Sequence, residues 1–225
     1  MRVMQCMAGA QHGGAEAYFT RLVLALHRAG LDQRVVLRHD AGREKLLADG
    51  GVAAQSMAFG GKLDITTRLG LRREIARFKP DIVLSWMNRA AGFCPDPKGR
   101  FIHCGRLGGY YNLKYYRNCD HLIGNTAGIV RYLGEQGWPE DRAHYLPNFV
   151  STEAAEPMPR LTLSTPQDSA VILALGRLHK NKAFDILIQA LRRLPDVYLW
   201  LAGVGPQEAE LRKLALHCGV APRIR

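Results

Sequence analysis

The chain has 225 residues, a length suited to one large domain or two small ones, and its 47% hydrophobic and 23% charged residues exclude a disordered or collagen-like protein. Its 31 Lys and Arg against 20 Asp and Glu give a net charge of +11, split as 21 against 13 up to residue 150 and 10 against 7 beyond it. The basic excess favours anionic partners, but Arg72-Arg73 and Arg192-Arg193 are the only adjacent arginines and no basic block alternates with aromatics, which argues against nucleic acid. No apolar run reaches the roughly 18–20 residues of a membrane-spanning helix, and the first 14 residues are expected not to form a secretory signal. Five cysteines, odd in number and without a CxxC pair, predict reduced thiols in a cytoplasm and argue against a disulfide scaffold or a structural zinc site.

Arg2–Met7 predicts a strand, and a Gly-containing loop to Gly14 leads into a helix over Ala15–Ala29, where Phe19, Leu22 and Leu26 keep helical spacing until Gly30. Arg34–Leu37 and Val52–Met57 predict further strands. Ile65–Phe78 predicts a helix ended by Lys79-Pro80. Asp81–Trp86, Phe101–His103 and His121–Gly124 predict strands, and Thr126–Gln136 a helix with an N-capping Thr and a Gly137 stop. Strands alternating with helices call for an α/β fold: a parallel sheet covered on both faces.

From Pro147 to Asp168 the chain carries four prolines and no apolar periodicity, which predicts an interdomain linker. The alternation restarts with a strand over Ala170–Leu175, a helix over Ala183–Arg193, a strand over Val197–Ala202 and a helix over Pro206–Cys218. The expected division is a first domain over 1–150, a linker over 151–168 and the first part of a second domain over 169–225. Two βα units are too few to cover both faces of a doubly wound sheet, so this second domain is expected to be truncated, with an apolar face left bare.

A dinucleotide fingerprint needs Gly-x-Gly-x-x-Gly directly after the first strand. Gly9, Gly13 and Gly14 have the wrong spacing, Gly203-Val204-Gly205-Pro206 lacks the third glycine, and no Gly-Lys-Ser/Thr makes a P-loop. Nicotinamide chemistry and P-loop hydrolysis are therefore disfavoured. Three loops after strands remain suited to anions: Gly13–Glu16, Gly176–Lys182 and Gly203–Pro206. In the second, Arg177 and Lys182 flank the start of a helix, and a planar guanidinium with a mobile ammonium suits a diphosphate.

The stretches LGRLHKNKAFDILIQAL (175–191) and LAGVGPQEAEL (201–211) resemble the donor-binding domain of retaining GT-B glycosyltransferases of family 4. In the first half, Gly13-Gly14-Ala15-Glu16, KPDIVLS (79–85), CDHLIGNT (119–126) and LPNFV (146–150) resemble the same family's acceptor domain. The resemblance implies two Rossmann-like domains, the second holding a nucleotide-sugar donor, and transfer to a glycan or lipid-linked acceptor with retention, without a metal or another cofactor. It implies that Arg177 and Lys182 hold the diphosphate and stabilise the leaving nucleotide, at about 3–4 kcal/mol for each preorganised donor. Gly176, Gly203 and Gly205 would form the phosphate loops, Gly13 and Gly14 would let backbone approach the reacting groups, and His103 would lie near the transferred sugar. The chain departs from the family at Ala183, where a Gly is usual, and at Ser85–Asn88, where relatives carry a His. The family's Glu-containing donor motif has no counterpart in these 225 residues, so the piece alone is expected to show little or no turnover.

Several residues keep two readings. Glu16 is a first-turn carboxylate favoured by its helix or a catalytic group. Arg106 with Gly108–Tyr111 makes a loop for sugar stacking or for tight packing. Asn148 fits a hinge turn, and His12 and Asn125 carry no assignment. The Tyr115–Arg117 run and the scattered basic residues are a solvated face or a peripheral contact with an anionic inner membrane, in a protein of envelope polysaccharide or lipopolysaccharide assembly. The rival readings are a nucleotide-sugar epimerase of the same fold and a non-catalytic nucleotide-binding fragment.

Overall fold

The computed structural model describes residues 1–11, 13–61, 63–150 and 154–225. They form two compact units that divide between residues 151 and 152. His12 and residues 151–153 of the expected linker lie outside the described residues.

The first unit runs β1 (Arg2–Met7), α1 (Gly14–Arg28), β2 (Asp32–Arg38), α2 (Ala41–Asp49), β3 (Ala54–Met57), α3 (Ile65–Phe78), β4 (Ile82–Trp86), α4 (Met87–Phe93), β5 (Ile102–Leu107), β6 (His121–Gly124), α5 (Ala127–Glu135) and β7 (Ala143–Tyr145). All seven strands are parallel, in the order β3-β2-β1-β4-β5-β6-β7. Alternate residues of each strand feed opposite faces. Val36, Cys6 and Val83 pack with Leu71, Ile75 and Phe93 of α3 and α4. Val35, Leu37 and Met7 pack with Phe19, Val23 and Leu47 of α1 and α2. A parallel sheet covered in this way is the expected solution for strands that are apolar on both sides.

Local chemistry sets the helix starts. Asp40 accepts the Arg43 N–H at 2.9 Å, Asp64 accepts the Thr67 N–H at 2.9 Å, and Thr126 accepts the Ile129 N–H at 3.2 Å. Lys79 takes a left-handed φ of 50° at the end of α3, just before Pro80, which cannot continue the helix.

The second unit pairs β8 (Ala170–Leu175) with β9 (Val197–Ala202) in parallel over six residues. α6 (Phe184–Ala190) and α7 (Glu208–His217) cover one face, packing Phe184, Ile188, Leu211 and Ala215 with Leu199 of β9. On the other face Leu173 and Leu175 are 58% and 68% exposed. The stretch expected to be a linker is structured in its second half. Arg160–Leu163 forms a 3-10 turn, Trp200 Nε1 donates to Thr165 Oγ1 at 2.9 Å, and Arg225 Nε donates to the Leu163 carbonyl at 2.6 Å. Proline density hides this, because the turn is held by hydrogen bonds to β9 and to the residues after α7 rather than by any periodicity of its own.

Candidate functional site

The strand order of the first unit reverses direction between β1 and β4, and in open parallel sheets the crevice outside the carboxyl ends at such a switch is where ligands sit. A cleft of about 270 Å³ lies there. Gly14 and Ala15 follow β1, Trp86 and Met87 end β4, Arg106 and Leu107 end β5, and Asn125 follows β6.

Arg106 is the charged centre of this cleft and is only 3% exposed. Its Nη2 donates to the Leu146 carbonyl at 3.0 Å and to Asn148 Oδ1 at 2.8 Å. The guanidinium lies 4.8 Å from the Tyr18 ring centre and 5.3 Å from that of Trp86, an arrangement that holds a buried cation by its faces. Burial draws its pKa below the ordinary arginine value, against the effect of Tyr18, yet a guanidinium stays charged in a protein. Its Nη1 is buried without a hydrogen-bond partner, and so is Asn125 Oδ1. Among the described residues these are the only such side-chain atoms, and both belong to residues that line the same cleft.

The loop after β1 is built to leave the start of α1 open. Gly13 caps the helix in extended backbone with no side-chain cap, and a Cβ on Gly14 would meet nothing within 4 Å. Glu16 turns away from the cleft. It accepts the Ala10 N–H at 2.7 Å, and its carboxylate fills the space where side chains on Gly9 and Gly13 would stand. Buried Arg43 donates to the Ala10 carbonyl at 2.8 Å and the Gln11 carbonyl at 3.2 Å, gripping the same loop from α2. Met87 carries a φ of 61° where the chain passes from β4 into α4, a strained conformation for a bulky residue at the cleft wall.

His103 does not join this cleft. The strand expected to end at His103 runs on to Leu107, so His103 sits near the amino end of β5 and is fully buried. Its Nδ1 lies 2.8 Å from the Asn118 carbonyl and its Nε2 2.9 Å from Ser85 Oγ. With both ring nitrogens engaged and no exposure, it is a core histidine rather than a group near a transferred sugar.

In the second unit, the loops after β8 and β9 continue the parallel ladder beyond the strands. Gly176 N–H donates to the Ala202 carbonyl and Leu178 N–H to the Val204 carbonyl, both at 3.0 Å. A Cβ on Gly203 would strike the Gly176 carbonyl, and one on Gly205 the Leu178 carbonyl. Close approach of two backbones therefore accounts for both glycines without a ligand. Arg177 and Lys182 are exposed, and neither has a side-chain hydrogen bond or ion pair among the described residues. A larger hollow of about 400 Å³ under α7 is lined mostly by aliphatic side chains, and its rim charges Glu208 and Arg212 pair with each other at 2.9 Å, which leaves it poor in free polar groups.

The sequence singled out Gly13, Gly14 and the Arg106 loop, but Trp86, Tyr18, Asn125 and Asn148 as a set emerge only from the fold. The available signal was Arg106 itself, an arginine at the carboxyl end of a buried strand.

The profile of Glycosyltransferase Family 4 matches residues 12–154, and that of glycosyl transferases group 1 matches residues 162–225. The chain is 36% identical over 215 residues to the lipopolysaccharide core biosynthesis glycosyltransferase LpsE of Rhizobium meliloti (strain 1021), covering 95% of this chain and 63% of LpsE. Lipopolysaccharide core biosynthesis glycosyltransferase LpsD of the same organism is 34% identical over 227 residues, 100% of this chain and 65% of LpsD. The chain thus spans just under two thirds of the length of these relatives. Among solved structures, Anabaena Alr3699/HepE in complex with UDP superposes with a TM-score of 0.80 at 16% identity, over 100% of this chain and 68% of HepE, a likeness of GT-B fold.

Proposed function

The chain belongs to glycosyltransferase family 4, and from that premise we propose that it serves the transfer of a sugar from a nucleotide-diphosphate donor to a glycan or lipid-linked acceptor of the lipopolysaccharide type. The transfer retains the anomeric configuration and uses neither a metal ion nor a dinucleotide. The first unit receives the acceptor at the cleft outside β1, β4, β5 and β6. The second unit holds the donor. There Arg177 gives paired hydrogen bonds to the diphosphate, and Lys182 neutralises the charge that builds on the leaving nucleotide. Gly176, Gly203 and Gly205 keep side chains off the two loops that face the phosphates, and Gly13 and Gly14 keep the first N–H groups of α1 open. The reaction takes place in the cytoplasm, where a net charge of +11 draws the chain to an anionic membrane surface.

The observation that supports this reading most directly is the state of Arg177 and Lys182. Both flank one short loop at the carboxyl end of β8, both are exposed, and neither is engaged by a carboxylate among the described residues. A pair of exposed cations on a backbone-lined loop adds little to stability and suits a polyanion. Titration of the chain with UDP-glucose and GDP-mannose, followed by amide NMR, tests it. Saturable shifts at Gly176, Gly203 and Gly205 are expected, weakened about tenfold by Arg177→Ala or Lys182→Ala. Undiminished binding in the double variant rejects the reading.

A further inference from the structure

We infer that the cleft of the first unit takes a sugar bearing an anionic group, a carboxylate or a phosphate monoester, with its charged oxygens on Arg106 Nη1 and a neighbouring hydroxyl on Asn125 Oδ1. The inference rests on the glycosyltransferase reading and narrows its acceptor to an acidic one.

Three observations converge on it. Arg106 is a buried cation with no carboxylate within ion-pair distance among the described residues. Among the described residues the cleft lining contains no acidic residue, and the nearest acid in sequence to its glycine loop, Glu16, is spent on the Ala10 N–H. An uncompensated buried charge is costly, and structures tolerate it where a ligand supplies the counter-charge.

The second observation is the orientation of the guanidinium. Its Nη2 is anchored to Leu146 and Asn148 and its faces rest near Tyr18 and Trp86, so the group cannot turn to find another partner. The atom left over, Nη1, is buried and unpaired, on a residue that lines the cleft.

The third observation gives the ligand its second feature. Asn125 lines the same cleft and its Oδ1 is an unpaired acceptor, so a ligand that donates a hydrogen bond as well as accepting one satisfies both residues. A fully deprotonated anion such as sulfate accepts only. A sugar acid or a hydroxyl-rich sugar phosphate does both. The uncapped start of the 15-residue helix α1 adds donors of the same polarity as Arg106, since Gly14 and Ala15 line the cleft with no side chain capping their N–H groups.

The test is an NMR titration of the chain with glucuronate, glucose 6-phosphate and glucose, in parallel with UDP. At least one anionic sugar is expected to bind about tenfold or more tightly than glucose, and which of the two is stronger separates a carboxylate from a phosphate ligand. Arg106→Met removes the preference. Asn125→Asp, which puts a carboxylate into the cleft and leaves Arg106 in place, removes it too and provides the control if Arg106→Met does not fold. UDP binding stays unchanged in both variants. Equal binding of glucose and the two anions, or no response to any of them, overturns the inference while leaving the donor reading intact. Loss of UDP affinity in Arg106→Met and Asn125→Asp, matching the loss for the sugar acids, overturns it as well, because the cleft would then hold the donor diphosphate. Failure of UDP to bind the unaltered chain, with the preference for anionic sugars kept, sinks the donor reading alone.

Discussion

The Glu16 carboxylate accepts the Ala10 N–H at 2.7 Å and so ties the first turn of α1 back onto the loop that follows β1. The pairing explains why the loop carries glycine at both Gly9 and Gly13, since a side chain at either would overlap that carboxylate. It also decides between two roles for Glu16: the group is occupied in shaping the loop. Glu16→Ala should therefore destabilise the first unit by about 1–2 kcal/mol, the scale of a buried polar group left unpaired. Glu16→Gln keeps an acceptor oxygen and should recover much of the loss. Urea unfolding of the three proteins checks this, and equal stability of all three would show that the loop stands without Glu16.

The second unit separates residues that build its loops from residues available to a ligand. Gly203→Ala and Gly205→Ala each drive a methyl group into a facing carbonyl and should cost about 1–3 kcal/mol, the range for overpacking. Arg177→Ala and Lys182→Ala remove exposed side chains that lack partners among the described residues, and should change stability by less than about 0.5 kcal/mol. Thermal melts of the four variants make the comparison. A large loss of stability on removing either cation would mean that it holds the loop together rather than waiting for phosphate.

At the start of α3, Asp64 accepts from the hydroxyls of Thr66 and Thr67 and from the N–H groups of Thr67 and Gly60. Those four bonds hold its carboxyl well below the usual aspartate range. A pKa that is lower in the folded chain stabilises the fold above the unfolded value of roughly 3.9, and the benefit fades as the pH falls towards the folded value. The first unit should therefore lose stability below about pH 4 in a way that Asp64→Asn lessens. Unfolding midpoints measured between pH 6 and pH 2 test the expectation, and parallel acid profiles for the two proteins would contradict it.

How far the sequence could be read depended on whether a signal was local. β1, α1, α3, β4, α5, β8 and β9 announce themselves through periodicity, caps and stops, because each buries an apolar face in a single stretch of chain. α2 carries no such signal, since only Arg43 and Leu47 of its nine residues are buried and its pattern has almost no period. α4 follows β4 with no loop between them, and its first residue, Met87, has a φ that no propensity anticipates. β7 is three residues long at the sheet edge. The strand expected over Phe101–His103 runs on to Leu107, which moves His103 from the carboxyl end of β5 to its amino end. In the fold Gly105 is needed inside β5, where a side chain would run into Tyr116, Leu122 and Cys119, and Arg106 is needed at its end. The cleft itself joins residues up to 134 positions apart, Gly14 and Asn148 among them, and only the strand order brings them together.

Ala183 stands where relatives in the resembled family usually carry glycine, and the backbone supplies the reason. Its φ and ψ are 53° and 35°, the left-handed conformation, between the 3-10 turn Lys180–Lys182 and α6. A Cβ in that conformation costs about 1–2 kcal/mol, whereas glycine gives back about 0.5–1 kcal/mol through its freer unfolded chain. Ala183→Gly should thus raise the stability of the second unit by roughly 0.5–1 kcal/mol, and Ala183→Val, with a branched side chain in the same conformation, should lower it. The substitution lies directly after Lys182 and leaves that ammonium in place. A gain in melting temperature with unchanged nucleotide-sugar affinity would assign the departure to backbone strain alone. A changed affinity would mean that the shape of this turn also sets how Lys182 meets the phosphate.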